Sequence, residues 1–223
     1  MRGVNKFLAG TAVLGLAATM AACGSDSSGG DPKPVGAFSK LTGQTTTVNL
    51  DPGFVQALGT LKVTPGVIGT AKADLTSSPA TVTFPITGGK ATIYKKGDVT
   101  PYVQGSVEHD GSGLSLSAGG KKVDLENFVI DPGNNSKLTG KVTVDGKVFA
   151  ESVKLFDLDG STLETPTLSG GVATLQGTTI YLSTEAADAL NKTFGLSGDT
   201  ALKGGVGTGV KIGTAVIKAT GTA

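Results

Sequence analysis

The only histidine of this chain, His109, stands between two acidic residues, Glu108 and Asp110. A histidine with flanking carboxylates has a suitable pKa for acid-base chemistry, and its ring nitrogens can ligate a metal. The segment His109-Asp110-Gly111-Ser112 is equally typical of an exposed β-turn. A zinc site normally recruits several His or Cys ligands, and the sequence holds one cysteine and no second histidine. We therefore expect no metal site, no catalytic residue and no cofactor, and we keep His109 as a candidate ligand-binding residue.

Three tyrosines are the other candidates for ligand binding: Tyr94, Tyr102 and Tyr181. Their rings and hydroxyl groups can bind a flat molecule or a haem iron. No nucleophile-elbow pattern surrounds Ser112 or Ser115, so the sequence offers no hydrolytic nucleophile with a recognised base. These residues predict a binding role rather than an enzymatic one.

Two glycine-bearing segments resemble binding loops but lack essential residues. Residues 157–160, Asp-Leu-Asp-Gly, lack the ligand spacing of an EF-hand calcium loop and predict a hairpin turn. Residues 205–209, Gly-Val-Gly-Thr-Gly, are not followed by the Lys and Ser/Thr pair of a phosphate-binding loop. We expect this second segment to be a surface loop.

The start of the chain has the order of a secretory signal peptide. Arg2 and Lys6 precede an apolar run, Phe7–Ala18, that is too short to span a bilayer. The segment Met20-Ala21-Ala22-Cys23 that follows resembles the lipobox of bacterial lipoproteins. That resemblance implies cleavage before Cys23, a diacylglyceryl thioether on its sulfur and usually an N-acyl chain. The alternative is an ordinary secretory signal cut near an Ala-x-Ala site, which would leave Cys23 as a free thiol.

The composition favours strands joined by turns, because 35 of 223 residues are glycine, tryptophan is absent, and Val, Thr and Ser recur. We predict a mainly β protein, an antiparallel β-sandwich or barrel-like domain with two short helices. Its parts are a signal peptide (1–22), the lipidated cysteine with a flexible tether (23–37), and a single β-rich domain (38–223). The net charge of +1 and the lack of a basic patch predict no nucleic-acid partner.

Several local signals place elements within the β-rich domain. Asp51 and Pro52 predict the start of a short helix over 53–58 that ends at Gly59. Ser183 predicts the N-cap of a helix that reaches Phe194, with Gly195 beyond its end. The clearest hairpin is centred on Asp145-Gly146, since this pair readily adopts a type I′ turn.

The two ends of the domain resemble each other. Thr47-Val-Asn-Leu50 matches Thr179-Ile-Tyr-Leu182, and Ile68-Gly-Thr-Ala71 matches Ile212-Gly-Thr-Ala215. Each copy reads as strand, helix, strand. We expect the copies to be spatial counterparts in one sandwich or barrel.

The body also resembles the haem-binding HtaA domain of actinobacterial surface proteins. The resemblance lies in the segment from His109 to Leu116, the segment Val123-Asp-Leu-Glu-Asn-Phe128, and a late strand and helix over 182–190. It implies a sandwich fold and haem binding, and it maps His109 onto the family histidine. The early helix that supplies the iron ligand in that family carries Trp and Tyr, whereas residues 54–58 carry neither.

These observations predict an exported bacterial lipoprotein, held to the membrane by acyl chains on Cys23, that acts as a structural or interaction module of the cell envelope. Because Gly24 rather than Asp follows the cysteine, we expect the outer membrane if the cell has two membranes. The alternative is a surface protein that binds haem or another small apolar molecule. A hydrolase is the weakest alternative, because one histidine would have to serve every acid and base role.

Overall fold

The computed structural model describes residues 31–223, so the predicted signal peptide and Cys23 lie outside the described residues. Residues Pro32–Ala223 form one compact unit. Its strands are β1 (Gly36–Phe38), β2 (Lys40–Leu50), β3 (Thr64–Gly69), β4 (Lys72–Asp74), β5 (Thr81–Pro85), β6 (Gly88–Ile93), β7 (Val103–Ala118), β8 (Lys121–Asp131), β9 (Lys137–Val144), β10 (Lys147–Asp159), β11 (Thr167–Ser169), β12 (Val172–Leu182) and β13 (Lys211–Thr222). Two α-helices, α1 (Pro52–Thr60) and α2 (Thr184–Phe194), interrupt them. The predicted fold class is confirmed.

All strands belong to one antiparallel sheet with the order β1-β6-β7-β8-β9-β10-β12-β13-β2-β5-β4, to which β3 adds beside β7 and β11 beside β12. Only Ser39 separates β1, which pairs with β6, from β2, which pairs with β13. β1, the first strand in this order, is therefore held next to β2, which stands near the other end. The sheet thus coils around an interior. Gly36 and Ala37, which the sequence assigns to the tether, already pair with β6.

Alternation along the strands builds this interior. On β9, Leu138 and Val142 are buried while the residues between them are more exposed, except for Gly140. Fully buried side chains include Leu41, Ile93 and Phe128, and Phe128 packs edge-on against Phe84 with ring centroids 5.3 Å apart. Such alternation is what a sheet with one packed face requires.

Both predicted helices are present, with their predicted N-caps. Asp51 accepts a hydrogen bond from the amide of Gly53 (2.8 Å), and the Ser183 hydroxyl accepts one from the amide of Ala186 (3.1 Å). Gly195 ends α2 in the left-handed conformation, as predicted. The predicted end of α1 is wrong, because Gly59 lies inside a helix that continues to Thr60. Among residues 31–223, no helix is long and apolar enough to cross a membrane.

The predicted type I′ hairpin is confirmed, since Asp145 and Gly146 both have positive φ angles, of 49° and 78°. The expected β-turn at residues 109–112 is wrong. Instead, β7 continues through this segment, and its regular pairing with β8 is interrupted there. The hairpin turn expected at residues 157–160 is also absent, because Asp159 caps a single 3-10 turn, Gly160–Thr162.

The expected spatial equivalence of the two chain ends is wrong as well. In the second copy, β12 and β13 flank α2 and pair directly with each other. In the first copy, β2 and β3 flank α1, but β3 pairs with β7. Strand β2 already has β13 on one edge and β5 on the other, so it has no free edge for β3.

We predict that Phe128→Ala lowers the free energy of unfolding by about 3–5 kcal/mol, since it removes a fully buried ring and leaves a cavity. Denaturant unfolding measures this change. The control is Phe149→Ala, because Phe149 is 68% exposed and its loss should change stability by less than about 0.5 kcal/mol. Equal effects of the two substitutions would contradict the assigned core.

Candidate functional site

The coiled sheet encloses a cavity of about 860 Å³. This volume lies within the range of roughly 300–1,000 Å³ that is usual for small-molecule sites. Most of its lining is aliphatic or aromatic and comes from the inward faces of strands on every side, with Val48, Leu125, Phe128, Ile180, Leu182 and Ile217 among the lining residues. The space is therefore an apolar one inside the sheet.

The edge of the cavity carries exposed apolar side chains. Val55 of α1, Val67 of β3, Leu75 and Val206 all line the cavity, and each is among the large hydrophobic residues that keep substantial solvent exposure. Phe54 of α1 lines the same space from the inner side of that helix. The helix and loops at the rim thus extend the apolar surface outward, as an entrance for an apolar molecule would require.

His109 lies in the cavity wall and is 1% exposed. Its Nδ1 lies 3.2 Å from the carbonyl oxygen of Phe128 on β8, and its Nε2 lies 2.8 Å from the hydroxyl of Thr46 on β2. A carbonyl oxygen only accepts, so Nδ1 carries the proton and donates it, while Nε2 accepts from the Thr46 hydroxyl. Both ring nitrogens of the imidazole therefore have partners.

Alternation along β7 turns this histidine inward together with Val107, and the irregularity in the pairing with β8 begins directly after it. Gly111 and Asn127 adopt positive φ angles opposite each other, and the Asn127 side-chain oxygen accepts a hydrogen bond from the Gly111 amide (3.0 Å). The Ser112 hydroxyl donates to the His109 carbonyl oxygen (3.1 Å) within the same segment. Asp110 is exposed and Glu108 is half-buried, and the hydrogen-bond partners of the imidazole are Phe128 and Thr46 rather than either carboxylate.

Burial lowers the pKa of His109 to about 4, because a charged imidazolium loses its hydration inside the domain. The hydrogen bond to Phe128 and the nearby charge of Asp110 act in the opposite direction but are outweighed. Phe84 stands edge-on to the imidazole, with ring centroids 6.3 Å apart. His109 is therefore a neutral, fully bonded member of an apolar wall.

The structure brings one of the three candidate tyrosines to the same cavity. Tyr102, just before β7, lines the cavity and donates its hydroxyl to the Leu163 carbonyl oxygen (3.2 Å). Tyr181 lies between Ile180 and Leu182, which both line the cavity, so alternation along β12 directs it to the outer face. Tyr94 is not a lining residue, and it contacts Tyr102 through a backbone hydrogen bond (2.7 Å).

Two residues at or next to the cavity, Thr46 and Lys96, are not among the candidates predicted from the sequence. Thr46 shares an inward face with Val48 and Leu50, and this alternation is visible in the sequence of β2. Lys96 carries no comparable signal, since it lies in an irregular loop. Its ammonium group lies 3.4 Å from the Leu163 carbonyl oxygen and 5.7 Å from the centre of the Tyr102 ring.

Comparisons with known proteins give a fold rather than a family. The structure is similar to the crystal structure of the C-terminal domain of HtaA from Corynebacterium glutamicum, with a TM-score of 0.52 and 12% identity over 81% of this chain and 98% of that one. The likeness is one of fold. The haem-binding protein HtaB of the same organism matches with a TM-score of 0.45 and 14% identity, over 81% of this chain and 94% of that one. No family model and no curated protein matches the sequence.

Within residues 31–223, no group of three or more His, Cys, Asp or Glu side chains is placed to hold a metal ion. The cavity lining of that part of the chain contains one charged residue, Asp159. Its carboxylate accepts hydrogen bonds from the amide (3.0 Å) and hydroxyl (2.6 Å) of Ser161. The lining is therefore almost entirely apolar and uncharged.

We predict that the domain loses about 3 kcal/mol of stability as the pH falls from about 6.5 to 4, through His109 alone. Between these two pH values the His109 imidazole binds a proton in the unfolded chain but not in the folded chain, so acid favours unfolding. Below pH 4 both states bind the proton, and this contribution stays lost. Denaturant unfolding at a series of pH values measures the effect.

His109→Gln provides the comparison, because glutamine does not titrate while the carboxylates titrate in both proteins. We expect the variant to be less stable at pH 7 and to lack this part of the pH dependence. Parallel stability curves for the two proteins between pH 6.5 and 4 would contradict a buried, neutral His109.

Proposed function

We propose that this protein binds a small apolar molecule inside its coiled sheet. The observation that carries the proposal is the cavity of about 860 Å³, whose lining holds a single charged residue within the described chain. Transfer of apolar surface from water into such a space is favourable, by about 25 cal/mol per Å². The cavity supports this binding role better than a purely structural one, because a cavity in the core lowers the stability of a domain and a structural module gains nothing from it.

Haem is the ligand that the HtaA resemblance implies, and the donor atoms of this cavity do not fit it as an iron-binding set. Both nitrogens of His109 are hydrogen-bonded within the protein, and the Tyr102 hydroxyl is bonded to Leu163. Helix α1, which faces the cavity through Phe54, contains no Tyr, His, Cys or Met. An iron ligand would have to give up an existing buried hydrogen bond, which costs free energy.

The cellular setting belongs to the same proposal. A signal peptide followed by Cys23 supports export and attachment to a membrane by acyl chains, and two or three such chains bind far more firmly than one. The folded domain would then act on the exported side of the membrane, in the cell envelope. An envelope protein with an internal apolar cavity is suited to carry or store a molecule that is poorly soluble in water.

We predict that the full chain binds the neutral fluorescent probe N-phenyl-1-naphthylamine and that Val48→Trp weakens this binding about tenfold or more. Val48 lines the cavity, so the indole ring would occupy space that the probe needs. A fluorescence titration measures the affinity.

The matched control is Thr47→Trp, since Thr47 is the preceding residue of β2 and bonds Thr83 on the other face. We expect this variant to retain wild-type affinity. Failure of the wild-type chain to bind the probe, or equal losses in both variants, would contradict the proposed function. A haem Soret band that shifts on binding and is lost in Tyr102→Phe would show instead that the cavity ligates iron.

We predict that Cys23→Ser moves the exported protein from the membrane fraction to the soluble fraction, because serine has no sulfur for the lipid thioether. Sedimentation of cell lysates measures the distribution. Ser25→Ala is the control and should remain with the membrane. Unchanged sedimentation of Cys23→Ser would defeat the lipid-anchor proposal.

A further inference from the structure

At one end of the cavity, polar side chains meet a backbone carbonyl oxygen. Tyr102, Leu163 and Ser161 line this end, which lies where the loop before β7 meets the 3-10 turn after β10. Lys96 lies in the same loop, and its ammonium group donates a hydrogen bond to the Leu163 carbonyl oxygen. Two other polar lining residues, His109 and Thr46, are bonded to each other.

At this end, two donors share one neutral acceptor. The Tyr102 hydroxyl and the Lys96 ammonium both donate to the Leu163 carbonyl oxygen, at 3.2 Å and 3.4 Å. Lys96 is exposed, and within residues 31–223 no carboxylate lies within 4.0 Å of its side-chain nitrogen. An ammonium has three N–H donors, so this group retains capacity for a stronger, anionic acceptor.

The interior cannot compensate a charge. No lysine or arginine is among the described lining residues, and the one carboxylate, that of Asp159, accepts two hydrogen bonds from Ser161 at its Oδ1. Transfer of an unpaired ionised group into such surroundings is strongly unfavourable. A ligand must therefore be uncharged along the part that enters the cavity, and any charge on it must stay at the end near Lys96.

We propose that the ligand is a single-headed amphiphile, a long-chain carboxylic acid, whose tail fills the cavity and whose carboxylate binds Lys96 and Tyr102. This inference rests on the proposed binding function and specifies its ligand class. The carboxylate accepts from the ammonium and from the phenol hydroxyl, which would then exchange the Leu163 carbonyl oxygen for a charged acceptor. Charge-assisted hydrogen bonds of this kind are roughly twice as strong as neutral ones.

The same geometry disfavours two other ligand types. A porphyrin brings two carboxylates and an iron, whereas this end of the cavity offers one ammonium and no unbonded iron ligand among the described residues. A wholly neutral hydrocarbon would gain no charge-assisted hydrogen bond from the Lys96 ammonium. One acidic head on an apolar tail matches both the donors and the lining.

Displacement of N-phenyl-1-naphthylamine from the full chain by dodecanoate or by dodecan-1-ol, at pH 8, tests this inference. The two compounds have the same chain length and differ in the charge of the head. We expect dodecanoate to bind about tenfold more tightly than dodecan-1-ol to the wild-type protein. Lys96→Gln should remove this preference while leaving dodecan-1-ol binding unchanged, and Tyr102→Phe should reduce it.

Lys95→Gln is the matched control, because it removes an equal charge from the neighbouring exposed position and should preserve the preference. Equal affinities of the acid and the alcohol for the wild type would overturn the proposal, as would a preference that survives Lys96→Gln or is lost equally in Lys95→Gln. These results differ from failure of the proposed function itself, which would appear as no binding of the fluorescent probe.

Discussion

The interior of this domain depends on one set of buried hydrogen bonds, in which His109 joins three strands. Its imidazole donates to Phe128 on β8 and accepts from Thr46 on β2, while its own backbone belongs to β7. An imidazole placed in an apolar wall without partners would cost several kcal/mol, so its position is acceptable only with both bonds formed. These bonds hold β2 opposite β7 and β8, strands that do not neighbour it in the sheet.

The same wall explains why the interior remains open. Only 5% of the residues are aromatic and none is tryptophan, so the inward positions are filled mainly by Val, Leu, Ile and Ala. A sheet that coils through so many strands encloses more space than such side chains occupy, as in barrels that hold one small ligand. The cavity thus follows from chain composition and sheet geometry together.

Local elements were predictable from the sequence because their causes are local. The caps at Asp51 and Ser183 and the Asp145-Gly146 turn each require only residues within a few positions of one another. The burial of His109 was not predictable, because the segment 109–112 has turn composition and only the pairing of β7 with β8 decides that the strand continues. Pairing between distant strands also placed β3 beside β7 and brought Lys96 to Leu163.

The proposed function requires an apolar molecule to bind inside the sheet. Intermolecular nuclear Overhauser effects between a bound neutral probe and the methyl groups of the labelled protein test this claim most directly. We expect effects to inward methyl groups, such as those of Val48, Ile180 and Ile217, and none to Val148, which is exposed on the β9–β10 hairpin. Effects confined to exposed methyl groups such as those of Val148 would contradict it.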